Sequence, residues 1–529
     1  MTRSGHRAFF RLLGIMLLLS MLPLASCERP GHRQDAAASH RRPSNRQQDV
    51  GQSEIPATDS AAAATAMSTG EKTEAGNVCW EAGDPGDGAL RNLGERCDSL
   101  GWAVGVVSTV PFCHATPACF VAHSPDRNHY YEGYEGREGP GISEEMIEGG
   151  LADLVVGAGH PAWENPDWDT SRGHISQAVY QSLVRGDTRY LLAERTAGAD
   201  GAVLLAEAVE GVDPDDGTGV LGLFGGAAGC FEPPVPLGEG NGAVEPATGE
   251  NPELSEAAIA ALDFLSRDDQ GFLLMLEQGD IDWANHNNDY HWMIGSMWDL
   301  EEAVDGVMGY IDTSAALSPE NTLVVVTSDH SNGYMRLAMN NPLGRGELPA
   351  MEGEGPDRRY PNGQVTWGCA SHTNEPVTVA AAGPERALDL LRVCEGTPPA
   401  PGVPSIIDNT HLYDVLAGCA DLEEPVNHLI LIIGDGMNPE HERAAGIYIY
   451  GDMEGMAWHD VDAFPYRALC TTWDIDTYNR YAQEADAPLY DAESYDPALG
   501  YDPQRGGRRP REGDRDYFLT PLPAPAGGG

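Results

Sequence analysis

Five stretches of the 529-residue chain are apolar for about the length of a strand: AVGVVST (103–109), DLVVGAG (153–159), FLLMLE (272–277), LVVVTSDH (323–330) and HLILIIGDG (428–436). A strand with one face in water alternates polar and apolar residues, so unbroken runs predict strands covered on both faces. Helical stretches lie between them. The predicted fold class is α/β, a three-layer αβα sandwich around a large, mostly parallel central sheet. Three of the runs stop at an acid, Glu277, Asp329 and Asp435. In an open parallel sheet the binding crevice lies beyond the carboxyl ends of the strands, so the three acids predict one site.

The apolar run Leu12–Leu24 does not belong to that pattern. It follows Arg3, Arg7 and Arg11, is too short for a comfortable membrane span, and reads as an export signal. Its end, Leu24-Ala25-Ser26-Cys27, looks like a bacterial lipobox, which would cleave before Cys27 and acylate it. The expected organisation is a signal at 1–27, a solvated tether at 28–54, one catalytic domain at 55–473, and a surface excursion with a flexible tail at 474–529. The expected location is outside the cytoplasm, periplasmic or on the outer membrane or cell surface, with the membrane touched only through a lipid on Cys27.

Charge narrows the partners. With 82 acidic and 32 basic residues the formal net charge is −50, which disfavours nucleic acid and anionic membrane surfaces. The same charge repels a phosphate ester, so an anionic substrate needs metal ions or arginine at the site. Nine cysteines remain beyond Cys27; pairs such as Cys394 with Cys419 would suit an oxidising compartment, and no paired CxxC arrangement suggests a cysteine zinc site.

Histidines at ligand-like spacing surround the strand-end acids. EQGDIDWANH places Asp282 and His286 four residues apart, one face of a helical turn; His330 follows Asp329 directly, and His372 opens HTNEPVTV. Imidazole with carboxylate favours zinc, and all-oxygen ligands favour magnesium. Two ions about 4 Å apart can clamp the attacking and leaving oxygens of an in-line phosphoryl displacement. In TDSAAAATAMSTG, Ser60 precedes an alanine-rich helix that Gly70 could end, and a helix N-terminus stabilises phosphate.

The string around Ser60 resembles the nucleophile signature of the alkaline phosphatases, and the other motifs fit the same family across most of residues 56–470. The resemblance implies hydrolysis of phosphate monoesters through a phosphoserine at Ser60, with two Zn2+ and one Mg2+ per chain. It assigns Asp282, His286 and His372 to the first zinc, and Asp329, His330 and Asp435 to the second. Glu277 and Thr116 of CHATPA go to the third ion, to which Asp435 bridges, with His114 at a variable position beside it. Arg127 of VAHSPDR would fork two phosphate oxygens, oriented by Asp59. Trp283 stands where other members carry Lys. A homodimer would follow from the resemblance alone.

Chain order departs from that family. Its GDGM strand precedes the serine motif, whereas here IIGDGM follows it by most of the chain, as in a circular permutation, the alternative being a misassembled gene. Permutation requires cut and joined ends in exposed segments, as the linker 396–405 and the tail suggest. The strand 428–434 is then predicted to insert beside the strand that ends in Asp329. Two rival functions remain: another metallohydrolase of the superfamily, acting on phosphodiesters, phosphonates or sulfate esters, and a noncatalytic metal-binding surface lipoprotein. No CxPxR-type motif surrounds Ser60, which argues against a sulfatase.

Overall fold

A ten-stranded sheet organises the computed structural model, which describes residues 57–213, 216–396, 404–492 and 494–495. In chain order its strands are β1 (Ala103–Pro111), β2 (Leu154–Ala158), β3 (Tyr190–Glu194), β4 (Gly219–Leu223), β5 (Phe272–Gln278), β6 (Thr322–Thr327), β7 (Val377–Ala382), β8 (Ile406–Asp408), β9 (His428–Gly434) and β10 (Tyr466–Thr471). Their spatial order is β8-β10-β7-β6-β9-β5-β1-β2-β4-β3. All neighbours are parallel except at β7, which runs antiparallel to both β6 and β10.

The unbroken apolar runs have the predicted cause. Along β9, Leu429, Leu431 and Ile433 enter one core, whereas Ile430 and Ile432 enter the other. Helices α1 (Ser60–Thr69) and α5 (Thr410–Cys419) supply Ala61, Ala64, Met67, Leu412, Val415 and Leu416 to the first core. Helices α2 (Leu254–Leu265), α4 (Tyr290–Thr313) and α6 (Pro439–Tyr450) supply Leu262, Met297, Leu300 and Tyr448 to the second. Two helical layers and the sheet make the three-layer α/β architecture. Strand β9 sits between β5 and β6, its Ile433 in register with Glu277 on one side and Thr327 on the other. Asp435 therefore emerges at the same sheet edge as Glu277 and Asp329.

Two expectations meet a different structure. The nine cysteines among the described residues, Cys394 and Cys419 included, are free thiols. The stretch after residue 473, expected as a surface excursion, begins instead with helix α7 (Ile475–Ala485). Its Ile475, Tyr478 and Ala482, spaced three and four apart, are buried with Trp473. The export signal, lipobox and tether, most of the linker at 396–405, and the tail beyond residue 495 lie outside the described residues. Among the described residues no helix is long and apolar enough to cross a membrane.

Candidate active site

Helix α1 is wholly buried, and apart from Met67 all of its side chains are small. Asp59 caps it, Oδ1 accepting from the Ala62 N–H at 3.0 Å, and Gly70 ends it in the left-handed region at φ +79°. Capping by Asp59 leaves Ser60, the first helical residue, free to face the sheet edge, where its Oγ lies 3.2 Å from His330 Nε2. The second oxygen of Asp59 accepts from the Gly76 N–H at 3.1 Å and from Arg127 Nη1 at 2.8 Å. Burial alone would raise the Asp59 carboxyl; the Arg127 charge and these donors outweigh it and hold the carboxyl below its usual range.

Three chain segments bring the histidines together. Helix α3 (Asp280–His286) opens directly after β5 and carries Asp282 and His286, whose Oδ2 and Nε2 are 3.2 Å apart. A short antiparallel pairing of His372–Thr373 with Ser331–Asn332 folds the long loop back, so that the His372 ring stacks on His330 with centroids 3.7 Å apart. The Nε2 atoms of His286 and His372 face each other at 3.1 Å. Their Nδ1 atoms lie 3.0 Å from the Ala370 carbonyl and 2.8 Å from the Thr58 carbonyl. A ring nitrogen facing a carbonyl carries a proton, so in the neutral form of either ring Nε2 is the nitrogen left to ligate, and both Nε2 atoms lie beside Asp282.

The acids complete the cluster. Asp329 Oδ1 accepts from the His330 N–H at 2.8 Å and the Gly436 N–H at 3.1 Å. His330 Nε2 lies 3.4 Å from Asp329 Oδ2 and 3.5 Å from Asp435 Oδ1. Glu277 Oε2 accepts from Ser108 Oγ at 2.5 Å, and Thr116 stands next to the same carboxyl. Burial, then the neighbouring charge of Asp329, pushes Glu277 up to about 8; burial, then Asp282, pushes Asp329 up to about 6. Asp435 is driven well above the carboxylate range by burial and by Asp329, Asp282 and Glu277. Asp282 moves the other way, because His286 and His372 outweigh its burial.

This donor set fits metal ions. Both Asp435 oxygens, Asp329 Oδ2 and Glu277 Oε1 are buried without a close hydrogen-bond donor, an arrangement that is costly unless a cation compensates it. Two triads have ligand atoms within 4.8 Å of one another: Asp282, His286 and His372, and Asp282, His330 and Asp435. Asp282 thus borders both groups, beyond the role expected for it, with Asp329 adjoining the second through His330. His114 is buried near Arg127, Nε2 3.4 Å from Nη2, and its ring meets Trp283 edge-on with centroids 6.1 Å apart. All twelve residues singled out in the sequence fall in this one region. Sequence reasoning missed Ser108 and also Asn332, whose Nδ2 donates to Asp282 Oδ1 at 2.5 Å. Ser108 had a signal, lying in the AVGVVST run beside the strand of Glu277; Asn332 had none, since only the folded-back loop brings it to Asp282.

Gly436 is required by geometry. It adopts φ +71°, and a Cβ there would come within 2.9 Å of the Cα, Cβ and Oδ1 of Asp282. Gly436→Ala should destabilise the fold by roughly 1–3 kcal/mol and weaken metal uptake, read by thermal unfolding and metal titration. Unchanged values in both would show that the loop relaxes freely.

Residues 32–344 match the model of the alkaline phosphatase family. That span holds Ser60, Arg127, Glu277 and Asp329 and leaves out His372 and Asp435. The chain is 30% identical over 280 residues to alkaline phosphatase 3 of Bacillus subtilis, covering 52% of this chain and 49% of that one. It is 29% identical over 353 residues to the alkaline phosphatase of Escherichia fergusonii, covering 62% of this chain and 70% of that one. Among solved structures, a cold-active alkaline phosphatase from a psychrophilic Shewanella sp. aligns with TM-score 0.46 and 20% identity, over 69% of this chain and 87% of that one. The chain spans about half the length of the Bacillus subtilis relative. With well over half of its residues matching the family's sequence pattern, and with the acids, imidazoles and serine of that pattern gathered at one sheet edge, this chain belongs to the alkaline phosphatase family.

Proposed function

We propose that this protein hydrolyses phosphate monoesters through a phosphoserine at Ser60, releasing inorganic phosphate outside the cytoplasm. The observation that carries the reading is the Ser60 hydroxyl 3.2 Å from His330 Nε2, at the first turn of a buried helix and within a cluster of under-compensated acids. Ser60 Oγ gives up its proton and attacks phosphorus as the P–O bond to the ester oxygen breaks and that oxygen takes up a proton; water then attacks the phosphoserine, breaking the bond to Oγ, which is reprotonated as phosphate is freed. Arg127 gives Nη1 to Asp59 and keeps a buried Nε without a partner, so its fork retains donors for phosphate oxygens. Asp59 holds that fork in place.

Asp282, His286 and His372 would hold one zinc, Asp329, His330 and Asp435 a second, and Glu277 and Thr116 a magnesium shared with Asp435. Such ions, when bound, lower the pKa of hydroxyl and water and offset the negative charge of acids and substrate. We also propose that the chain order is a circular permutation, supported by the place of β9 between β5 and β6, and that the N-terminus is an export signal with an acylated Cys27.

The test is steady-state hydrolysis of a chromogenic phosphate monoester, a phosphodiester and a sulfate ester, before and after dialysis against a chelator. Monoester turnover should dominate, vanish on chelation and return with zinc and magnesium. Preference for the diester would move the protein to a sister activity, and no turnover of any ester by the metal-loaded protein would leave the noncatalytic reading.

A further inference from the structure

Helix α7 contributes nothing to the metal cluster, yet its first residues are laced to the segment that brackets Asp59 and Arg127. The Ile475 N–H donates to the Thr73 carbonyl at 3.0 Å, and Asp476 Oδ2 accepts from the Ala75 N–H at 3.1 Å. One residue further, Gly76 donates its N–H to Asp59 Oδ2 at 3.1 Å and accepts from the Arg127 N–H at 2.8 Å. The start of the segment is held as well. The buried Lys72 ammonium donates to the Trp473 carbonyl at 2.9 Å and to Asn409 Oδ1 at 2.6 Å, and pairs with Asp408 at 3.0 Å. Residues 72–76 are therefore tied at both ends to 473–476. Gly76 is the only residue of the segment bonded both to the carboxylate that aims Arg127 and to the backbone that carries it.

We propose that Asp476 and the Ile475 N–H are positioning groups for Arg127: α7 clamps the 73–76 segment, and through Gly76 fixes where the guanidinium meets a phosphate. This rests on the phosphate role proposed above for Arg127. A fork must hold its angle to engage two oxygens, and small displacements of a positioning group are costly. The clamp acts on binding of the phosphoryl group and leaves the serine and the metal-ligating residues untouched.

Two variants each cut one tie. Asp476→Ala removes the acceptor, and Asp476→Asn, which keeps an oxygen there, serves as rescue. Ile475→Pro removes the donor, at the cost of part of a buried side chain, and keeps the backbone, since proline is tolerated at the first helical position and Asp474, at φ −112° and ψ 174°, already has the backbone that precedes a proline. In the metal-loaded protein, Asp476→Ala and Ile475→Pro should each weaken inhibition by inorganic phosphate and raise KM by roughly three- to tenfold, with kcat within about twofold and recovery in Asp476→Asn. Hydrogen exchange at the Gly76 and Arg127 amides should quicken in the same two variants, a readout independent of turnover. Phosphate inhibition within about twofold of the unmodified protein in both variants, or a fall in kcat with KM unchanged, overturns the proposal. An unmodified, metal-loaded protein that neither hydrolyses a monoester nor binds phosphate would instead refute the functional reading, and the amide exchange would still judge the clamp.

Discussion

Ser60→Ala is expected to lower monoester turnover by roughly a thousandfold or more, some 4 kcal/mol of barrier, without lowering the unfolding temperature. The two halves of that expectation have separate causes. The hydroxyl is the only nucleophile offered at the first turn of α1, and its near neighbour is His330 rather than the helix backbone. The cap belongs to Asp59, so alanine at position 60 removes no helix-stabilising bond, and alanine is the best helix former. Metal uptake should also persist, because both triads of Asp and His ligand atoms are left intact. Rapid acid quenching after addition of labelled substrate should trap phosphate on the unmodified chain and none on the variant. A variant that retained more than about a tenth of the turnover would place the nucleophile elsewhere.

Asp435→Ala should be nearly as severe, lowering turnover by roughly a hundredfold or more and removing a bound metal equivalent, measured by elemental analysis of the dialysed protein. Its effect on the metal-free protein carries the opposite sign. Burial and mutual repulsion raise Glu277 from 4.5 to about 8 and Asp329 from 3.8 to about 6, so the folded state binds these protons more tightly than the unfolded chain. The stability they confer is complete below about pH 4 and is lost as the pH rises toward 8. Asp435 is itself driven above the carboxylate range by burial and by Asp329, Asp282 and Glu277, so removing it takes one such group out of the cluster and should flatten that decline. Denaturant titrations in the presence of chelator at several pH values give the slope. Full activity in Asp435→Ala would separate β9 from the chemistry and sink the permuted reading of the site.

The central sheet was legible because its strands are covered on both faces, which writes itself into the sequence as runs such as HLILIIG. The acids at the ends of those runs were legible for a related reason: a carboxylate so close behind a fully buried strand is costly unless a cation or donors meet it. What escaped depended on loops. Asn332 reaches Asp282 only because residues 331–332 pair with 372–373, a register that two-residue strands do not announce. Helix α7 was masked by its composition, for Asp474, Asp476 and the nearby prolines look like tail, while Ile475, Tyr478 and Ala482 still carry a helical spacing. The free state of Cys394 and Cys419 is likewise a matter of tertiary placement that spacing does not encode.

The position of β9 also dictates when this molecule becomes a protein. A ribosome releases α1, β1, β5 and β6 long before it reaches residue 428, and until then β5 and β6 have no partner along the edges that will face each other. The nascent chain thus carries two apolar, unpaired strand edges at the middle of its future sheet, the condition that invites association with other chains and engagement by chaperones. Contacts between strands so distant in sequence also form slowly. The strand that fills this central gap, with only β10 still to follow in the chain, is the one that delivers Asp435, so an incompletely synthesised chain cannot assemble the full acid cluster. Completion of the centre and competence for the chemistry arrive in the same late step.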